Sequence, residues 1–477
     1  MPHTTSPDTG RPSLEVGVRS VVGFLVFCEL ASGFAQGFYA PLLKDIATHL
    51  SVTDADITWF LTLQSLAAAV CVPLLSRLGD IFGHRKMLRI AIISVLIGTL
   101  ITALVPSYPV VLFGRLLVGP LAVWLPLEIA LVHGRITGAQ ARKSVGLLVS
   151  FLTGGAILGT LSAGLISAVS PNITVTLLAP VALVLVSAYA VFFKVPESPS
   201  RTASRIDYVG FAGIAVFMIA GLIGLRVAGT GGFFTPSALI PLAAALIVFA
   251  LWVLWELKAQ SPAVDVRLVA SRRIGPIYLA ALCFGMVMFG GQAPLTTFLG
   301  SSPEVEGYGF GATAGLISLV IGLITILATF GAGAFSMLAA RIGIRTVLVS
   351  GAVLAALGNF MLLPLHTSLG GFIAAAVVQG LGYGLLLGAL PARLAELAPS
   401  DSTGIATGIY NSLRTLGGSL AGAIFAVMLG AAMVPGLTHA SVSGYLAIWT
   451  FSGVAFIVCV VALLFLPKEQ RERQVAA

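Results

Sequence analysis

Long apolar runs, separated by short charged or Pro- and Gly-rich segments, recur along the whole chain. Each run is long enough to cross a bilayer as a helix, which takes roughly 20 apolar residues. The first six runs predict helices near 18–40, 57–76, 88–105, 109–132, 144–168 and 173–194, and two more follow near 207–227 and 236–257. Six further helices are predicted near 274–299, 311–338, 346–364, 369–392, 402–432 and 444–466. The pattern therefore predicts fourteen spans in a six, two, six arrangement.

The composition narrows the class of protein. Of 477 residues, 58% are hydrophobic and 9% are charged, whereas soluble domains carry about a quarter charged residues. A soluble enzyme is excluded, and an all-α polytopic membrane protein embedded in a lipid bilayer is expected. The predicted divisions are an N-terminal disordered tail (1–17), a six-helix half (18–194), a linker with two extra helices (195–271), a second six-helix half (272–467) and a C-terminal tail (468–477).

No pattern of residues indicates an enzyme or a cofactor. The four cysteines are far apart inside apolar runs, without metal-ligand spacing. The chain also lacks a Gly-Lys pair, which disfavours a phosphate-binding loop and ATP-driven pumping. His-Glu-x-x-His and Gly-x-Ser-x-Gly motifs are absent as well. We therefore expect no metal, no cofactor and no catalytic residues.

The cations predict how the chain is oriented. If the N-terminus is cytoplasmic, 22 of the 26 lysines and arginines fall in the tails and the cytoplasmic turns. Only Lys44 and Arg226 fall on the opposite side, while Arg115 and Arg414 lie within predicted spans. The positive-inside rule then predicts that both termini lie in the cytoplasm. The expected location of the protein is the inner (cell) membrane. The net charge of +8 reflects the excess of cations in the cytoplasmic turns and tails, so no nucleic-acid partner is expected.

An internal repeat supports the division into two halves. The segment SRLGDIFGHRK from Ser76 to Lys86 is followed 260 residues later by SMLAARIGIR from Ser336 to Arg345, and Leu, Gly and Arg recur at the same offsets. Two six-helix halves with equivalent turns are typical of transporters that rock one half against the other around a midplane site.

These residues resemble the major facilitator superfamily, and specifically its 14-spanner drug–proton antiporters, over nearly the whole chain. The segment after the second helix is similar to that superfamily's signature at Leu78, Asp80, Gly83 and Arg85. FGRLLVG around Arg115 resembles the fourth-helix signature, and GAILGTLSAG from Gly155 to Gly164 resembles the fifth-helix signature of antiporters, in which a proline usually stands at Thr160. The resemblance implies a major facilitator fold and assigns Arg115 to a proton relay.

Glu29 is the candidate proton carrier. The family often has an aspartate where this chain has Ser32, and Glu29 is the nearest acid, one turn earlier. About twelve residues into its span, an unpaired carboxylate near the midplane is costly, so a carboxyl that gains and loses a proton could couple transport to a proton gradient. Arg115 is the candidate counter-charge, because an intramembrane arginine must satisfy five donors. Permanent structural pairing is the alternative for both residues, and Glu128 is interpreted as interfacial.

Two further groups suggest conformational roles. Leu78, Asp80, Gly83 and Arg85 are interpreted as a gate, with Asp80 beside a helix N-terminus able to latch cytoplasmic helix ends in one state; ordinary topology-setting charge is the alternative. The second copy has Ala340 in place of the aspartate, so such a latch is asymmetric. The spacing of Gly155, Gly159 and Gly164 predicts close helix contact and a hinge or seal.

The substrate is expected to meet the few polar and soft side chains in otherwise apolar helices. Phe284, Met288 and Gln292 are predicted to share one helix face. Amides with adaptable Met and aromatic walls suit bulky amphipathic compounds. The full candidate set is Phe34, Gln36, Gln64, Phe284, Met288, Gln292, Gln379, Tyr383, Asn411 and Arg414.

The leading hypothesis is a monomeric, proton-coupled exporter of drug-like or secondary-metabolite compounds that works by alternating access. A gradient-independent facilitator or importer of small organic solutes is the first alternative. A transport-inactive membrane receptor or a lipid-handling protein is the second.

Overall fold

The computed structural model describes residues 11–136, 138–197, 207–232, 234–260, 262, 264–398 and 403–467. Fourteen helices within these ranges are long and apolar enough to cross a membrane, which confirms the predicted number. We name them α1 to α14 in chain order: Val22–Leu50, Asp54–Phe82, His84–Leu104, Tyr108–His133, Lys143–Val169, Ile173–Phe193, Tyr208–Gly229, Pro236–Glu256, Gly275–Gly300, Ala314–Ile342, Ile344–Leu365, Leu369–Leu397, Ala406–Ala431 and Val442–Leu464.

Side chains cap several helices at their first turn. Thr53 accepts a hydrogen bond from the Asp56 N–H at the start of α2, and Asn172 does the same for Val175 in α6. Such caps satisfy backbone donors that have no partner within the helix. Their presence explains why these apolar runs begin as helices at these residues.

Three of the spans are interrupted. A 3-10 segment, Ala40–Leu42, follows the main helix of α1, which itself extends back to Arg11, inside the predicted tail. A second 3-10 segment, Gly119–Val123, divides α4, and α9 ends at Gly290 and restarts at Gln292. Each break has a proline in or near it, which removes a backbone donor. The predicted extreme tail residues, 1–10 and 468–477, lie outside the described residues.

Helices α1 to α6 form one half and α9 to α14 the other, as predicted. The strongest packing within the halves joins α1 with α5 and α9 with α13, at equivalent positions of the repeat. The halves meet along α2 with α13 and along α5 with α10. The extra pair, α7 and α8, packs through α7 on α13 and α2 and so covers one of these two seams.

The gap predicted between the helices near 57–76 and 88–105 is too long. Helix α2 continues to Phe82, and only Gly83 separates it from α3. Gly343 joins α10 to α11 in the same way, and the two glycines have φ of +108° and +83°. A residue with a Cβ is strained at such angles, so glycine is required at both junctions. The charged residues from Arg77 onwards end the apolar run but not the helix, because no residue between Arg77 and Gly83 interrupts α2.

Candidate functional site

Two polar layers lie inside the N-terminal half. The first holds Glu29 of α1 and Glu128 of α4, both with no exposed surface. The two carboxyl groups interact electrostatically with each other where α1 packs on α4. None of their four oxygens accepts a hydrogen bond from any donor among the described residues. A pair of carboxyl groups with no donor is a site that requires protons or cations for stability.

The second layer surrounds Arg115, whose side chain is buried. Its guanidinium carbon lies 4.2 Å from the ring centres of both Tyr39 and Phe60, an arrangement in which the aromatic faces attract the cation. Its Nε donates to the Phe60 carbonyl at 3.4 Å, and an Nη donates to the Gln64 side chain. Aromatic rings and neutral oxygens of the N-terminal half therefore stabilise the positive charge of Arg115.

Arg115 is not placed as the counter-charge of Glu29 in this conformation. No carboxylate among the described residues forms an ion pair with it. The ring that it contacts belongs to Tyr39, ten residues after Glu29 on α1, which corresponds to about 15 Å along a helix. The two groups therefore lie at different depths, and the pairing expected from the sequence is corrected to Glu29 with Glu128.

The interfacial interpretation of Glu128 is wrong. Counting from Arg115 as an uninterrupted α-helix turns Glu128 to the opposite side, but the 3-10 segment Gly119–Val123 lies between them. Since a 3-10 helix turns more per residue than an α-helix, the later part of α4 is rotated towards the interior. Glu128 is consequently buried against α1.

We call the side of the bundle that holds Gly83 and Gly343 the inner side and the opposite side the outer side. On the inner side, Asp80 contacts His84 at 3.1 Å, and the Arg85 guanidinium donates to the carbonyls of Val191 and Phe192. Leu78 packs against the apolar core of the N-terminal half. Arg85 is thus tied to α6 and Asp80 to the start of α3, all within one half, and the gating role of these residues stays a prediction.

Glu197 was missed by the sequence reasoning. Its two carboxylate oxygens accept hydrogen bonds from the backbone N–H groups of Arg85, at 2.9 Å, and Lys86, at 3.2 Å. A carboxylate at a helix N-terminus satisfies free donors and interacts favourably with the helix dipole. The carboxylate therefore caps α3 next to Gly83, from a loop 112 residues further along the chain.

On the outer side, Asp54 links the two halves. Its Oδ2 accepts from the Tyr445 hydroxyl at 3.0 Å and from the Ala440 N–H at 3.4 Å, and its Oδ1 lies 3.4 Å from Lys44 Nζ. Lys44 also lies 3.1 Å from Glu306 of the C-terminal half. We call these residues, Lys44, Asp54, Glu306 and Tyr445, the outer clasp. The isolation of Lys44 on this side of the chain was the one signal in the sequence that pointed to it.

The glycines of α5 make the close contacts that their spacing predicts. A Cβ on Gly155 would lie 2.2 Å from the Leu30 carbonyl oxygen, and one on Gly159 would lie 2.2 Å from that of Phe34, so both positions pack on α1. Gly164 instead faces the other half, where its N–H donates to Ser318 of α10 at 3.0 Å. Gly164 thus packs at the contact between the halves, while Gly155 and Gly159 hold α1 and α5 together inside one half. The hinge or seal role stays a prediction.

The substrate candidates lie in several different environments. Phe284 and Tyr383 are buried against each other, with ring centres 5.9 Å apart, and Gln379 lies one turn before Tyr383. The break after Gly290 divides the face predicted for Phe284, Met288 and Gln292. Gln64 accepts a hydrogen bond from Arg115, and Phe34 stacks on Phe38. Gln36 and Asn411 are exposed. Arg414 lies near the rings of Phe289 and Tyr410.

Comparison with known proteins agrees with this architecture. A model of the Major Facilitator Superfamily matches residues 25–422 and 337–477. The MFS-type transporter YfiU of Bacillus subtilis is 25% identical over 82% of this chain and 76% of its own length. A triacylglyceride transporter of Mycobacteroides abscessus is 26% identical over 87% of this chain and 83% of its own.

Solved structures show the same fold. The crystal structure of a D-xylose-proton symporter superposes with a TM-score of 0.65 at 15% identity, over 94% of this chain and 98% of that one. The nucleoside transporter NupG gives a TM-score of 0.64 at 15% identity, over 94% and 98%. Both likenesses concern the fold alone. Together with the fourteen spans, the family match shows that the chain is a multi-pass transporter of the cell membrane, not an enzyme, and that it belongs to the major facilitator superfamily.

Proposed function

We propose that the protein is a proton-coupled exporter of amphipathic, drug-like or secondary-metabolite compounds that works by alternating access. The observation that carries the proposal is Glu29, a fully buried carboxyl whose oxygens accept no hydrogen bond from a described donor. A charge there is costly in a dry site and tolerable in a wet one. Protonation of Glu29 can therefore follow the conformation of the bundle, which is the requirement for coupling.

A proton gradient supplies enough energy for uphill export. Each charge that crosses the membrane gains about 2.3 kcal/mol per 100 mV of potential. One proton entering for each substrate molecule that leaves is therefore worth more than a tenfold concentration ratio at that potential. The positive-inside distribution of the cations supports an orientation with both termini in the cytoplasm.

The side chains of the candidate substrate set favour apolar compounds with few charges. Phe284, Tyr383 and Met288 would offer aromatic and sulfur surfaces in a conformation that exposes them, and Arg414 lies 5.4 Å from the Phe289 ring centre. The intramembrane Arg115 and Arg414, and the lack of any acid in the candidate substrate set, disfavour a compound with a strong positive charge. We therefore propose neutral or weakly anionic amphipathic molecules as substrates of a monomeric transporter.

The test uses purified protein in sealed proteoliposomes with a pH-sensitive dye on one side. Substrate addition should move protons in the opposite direction in the wild type, and Glu29→Gln should abolish that movement while substrate binding persists. Glu304→Gln, an exposed loop acid, is the matched control and should behave as the wild type. Transport by Glu29→Gln at an unchanged rate, insensitive to an ionophore, would refute proton coupling and favour a facilitator.

Lipid transport is a second candidate, favoured by the relatives that are named triacylglyceride transporters. It differs from the first only in the substrate. Movement of a fluorescent triacylglycerol from the proteoliposome membrane, tested beside water-soluble amphipathic compounds, distinguishes the two.

A further inference from the structure

The carboxyl groups of Glu29 and Glu128 constrain each other's protonation. Ionised carboxylates only accept hydrogen bonds, so two of them cannot bond to each other. When one carries a proton it becomes a donor and the other its acceptor, and the pair then has a net charge of minus one instead of minus two. In a site with no exposed surface, the doubly charged form is strongly disfavoured because both desolvation and repulsion oppose it.

The surroundings offer no other compensation among the described residues. Helix α1 packs on α4, α5 and α6. From α5, Gly155 and Gly159 lie against the backbone of Leu30 and Phe34, and from α6 the Ser187 carbonyl accepts from the Cys28 thiol at 3.9 Å. Cys28 is the third titratable group at the site, and its proton is directed away from the carboxyls. No lysine or arginine of the described chain forms an ion pair with either acid.

We propose that Glu29 and Glu128 together form a binding site for a single proton, which the two carboxyl groups share across the contact between α1 and α4. Glu128 is therefore as necessary to the site as Glu29. When α1 and α4 separate or water enters between them, each carboxylate can be hydrated on its own and the proton leaves to that water. The assignment deepens the proposed function, because the shared proton would be the one that is exchanged for substrate.

The occupancy can be measured on the unmodified protein. The O–H of a protonated carboxyl group adds across one C=N bond of dicyclohexylcarbodiimide, an apolar reagent. The O-acylisourea that forms rearranges by an oxygen-to-nitrogen acyl shift to a stable N-acylurea, which mass spectrometry locates. At neutral pH we expect one adduct per molecule at the pair, on Glu29 or on Glu128 but never on both. Labelling should slow as the pH rises, and the exposed Glu304 should stay unlabelled. Labelling of the pair that appears in acid but is absent at neutral pH overturns the proposal, since it would show that both groups are ionised at neutral pH.

A metal cation is the competing occupant. Sodium chloride at constant pH, with choline chloride as the control for ionic strength, should leave the labelling rate unchanged. Protection by sodium and not by choline would overturn the proton assignment, because it would show that the pair binds a metal ion.

Variants separate this inference from the proposed function. Glu29→Gln, Glu128→Gln and the double variant should all lose substrate-driven proton movement to the same extent, since groups that act as one site are not additive. Full proton movement in Glu128→Gln would overturn the shared site and leave proton coupling through Glu29 intact. A wild type that is labelled once but moves no protons would refute the proposed function alone, because labelling does not depend on transport.

Discussion

Removal of the Tyr445 hydroxyl should open the outer side of the bundle. In the outer clasp this hydroxyl donates to Asp54 across the two halves, at 3.0 Å, and the Asp54 side chain is only 3% exposed. A hydrogen bond to a charged group contributes about 1.5–3 kcal/mol. Lys44 and the Ala440 N–H still hold the carboxylate in Tyr445→Phe, so the lower value applies. The ratio of outer-closed to outer-open molecules should therefore fall about tenfold.

The assay is a distance measurement between spin labels at His49→Cys and Val305→Cys, which are exposed outer positions on opposite halves. Cys71→Ser removes the one native cysteine that is not buried. In lipid nanodiscs, Tyr445→Phe should increase the long-distance population at the expense of the short one.

The matched control is Tyr308→Phe, which removes a buried hydroxyl that donates to the Ala440 carbonyl at 2.6 Å inside the C-terminal half. Its loss should lower thermal stability without changing the distance distribution. An unchanged distribution in Tyr445→Phe, or an equal shift in both variants, would show that the clasp does not set the outer-closed state.

Three further perturbations test individual contacts. Gly159→Ala places a Cβ against a carbonyl of α1 and should lower the free energy of unfolding by about 1–3 kcal/mol. Gly154→Ala, at a position with open space around it, should leave the free energy of unfolding unchanged. Equal melting temperatures of the two variants would contradict the packing of Gly159 on α1. Glu197→Ala removes the cap of α3 and should cost about 0.5–2 kcal/mol, measured as a lower melting temperature than that of Glu304→Ala. Arg115→Lys keeps the charge but loses the planar contact with two rings, so transport and stability should both fall; wild-type transport in this variant would show that charge alone suffices.

Much of the architecture could be predicted because it depends on local composition. Apolar run length gave fourteen spans, and the spacing of 260 residues between Gly83 and Gly343 matches two junctions with the same backbone conformation. The glycine spacing of α5 likewise predicted a close contact with another helix. In each case a short stretch of sequence contains the physical cause.

The outer clasp could not be predicted in this way. Asp54 and Tyr445 are 391 positions apart, and Lys44 reaches Glu306 across 262. Nothing in the sequence near these residues shows that the loops meet, because the contact arises only when the two halves pack along α2 with α13 and α5 with α10. Charge counting found Lys44 as an exception but could not supply its partners.

The error at Glu128 has a geometric origin that also explains the carboxyl pair. Thirteen residues of α-helix at about 100° each leave Glu128 roughly 140° away from Arg115. The five residues of Gly119–Val123, at about 120° each, add roughly 100° and bring Glu128 to within about 40° of the Arg115 direction. Both side chains of α4 then face α1, at the levels of Tyr39 and Glu29. The 3-10 segment thus allows one helix to place an arginine against rings at one depth and a carboxyl against a carboxyl at another. Since Pro120 lies in this segment and cannot donate a helical hydrogen bond, a change that restored a regular α-helix there should turn Glu128 away and separate the pair.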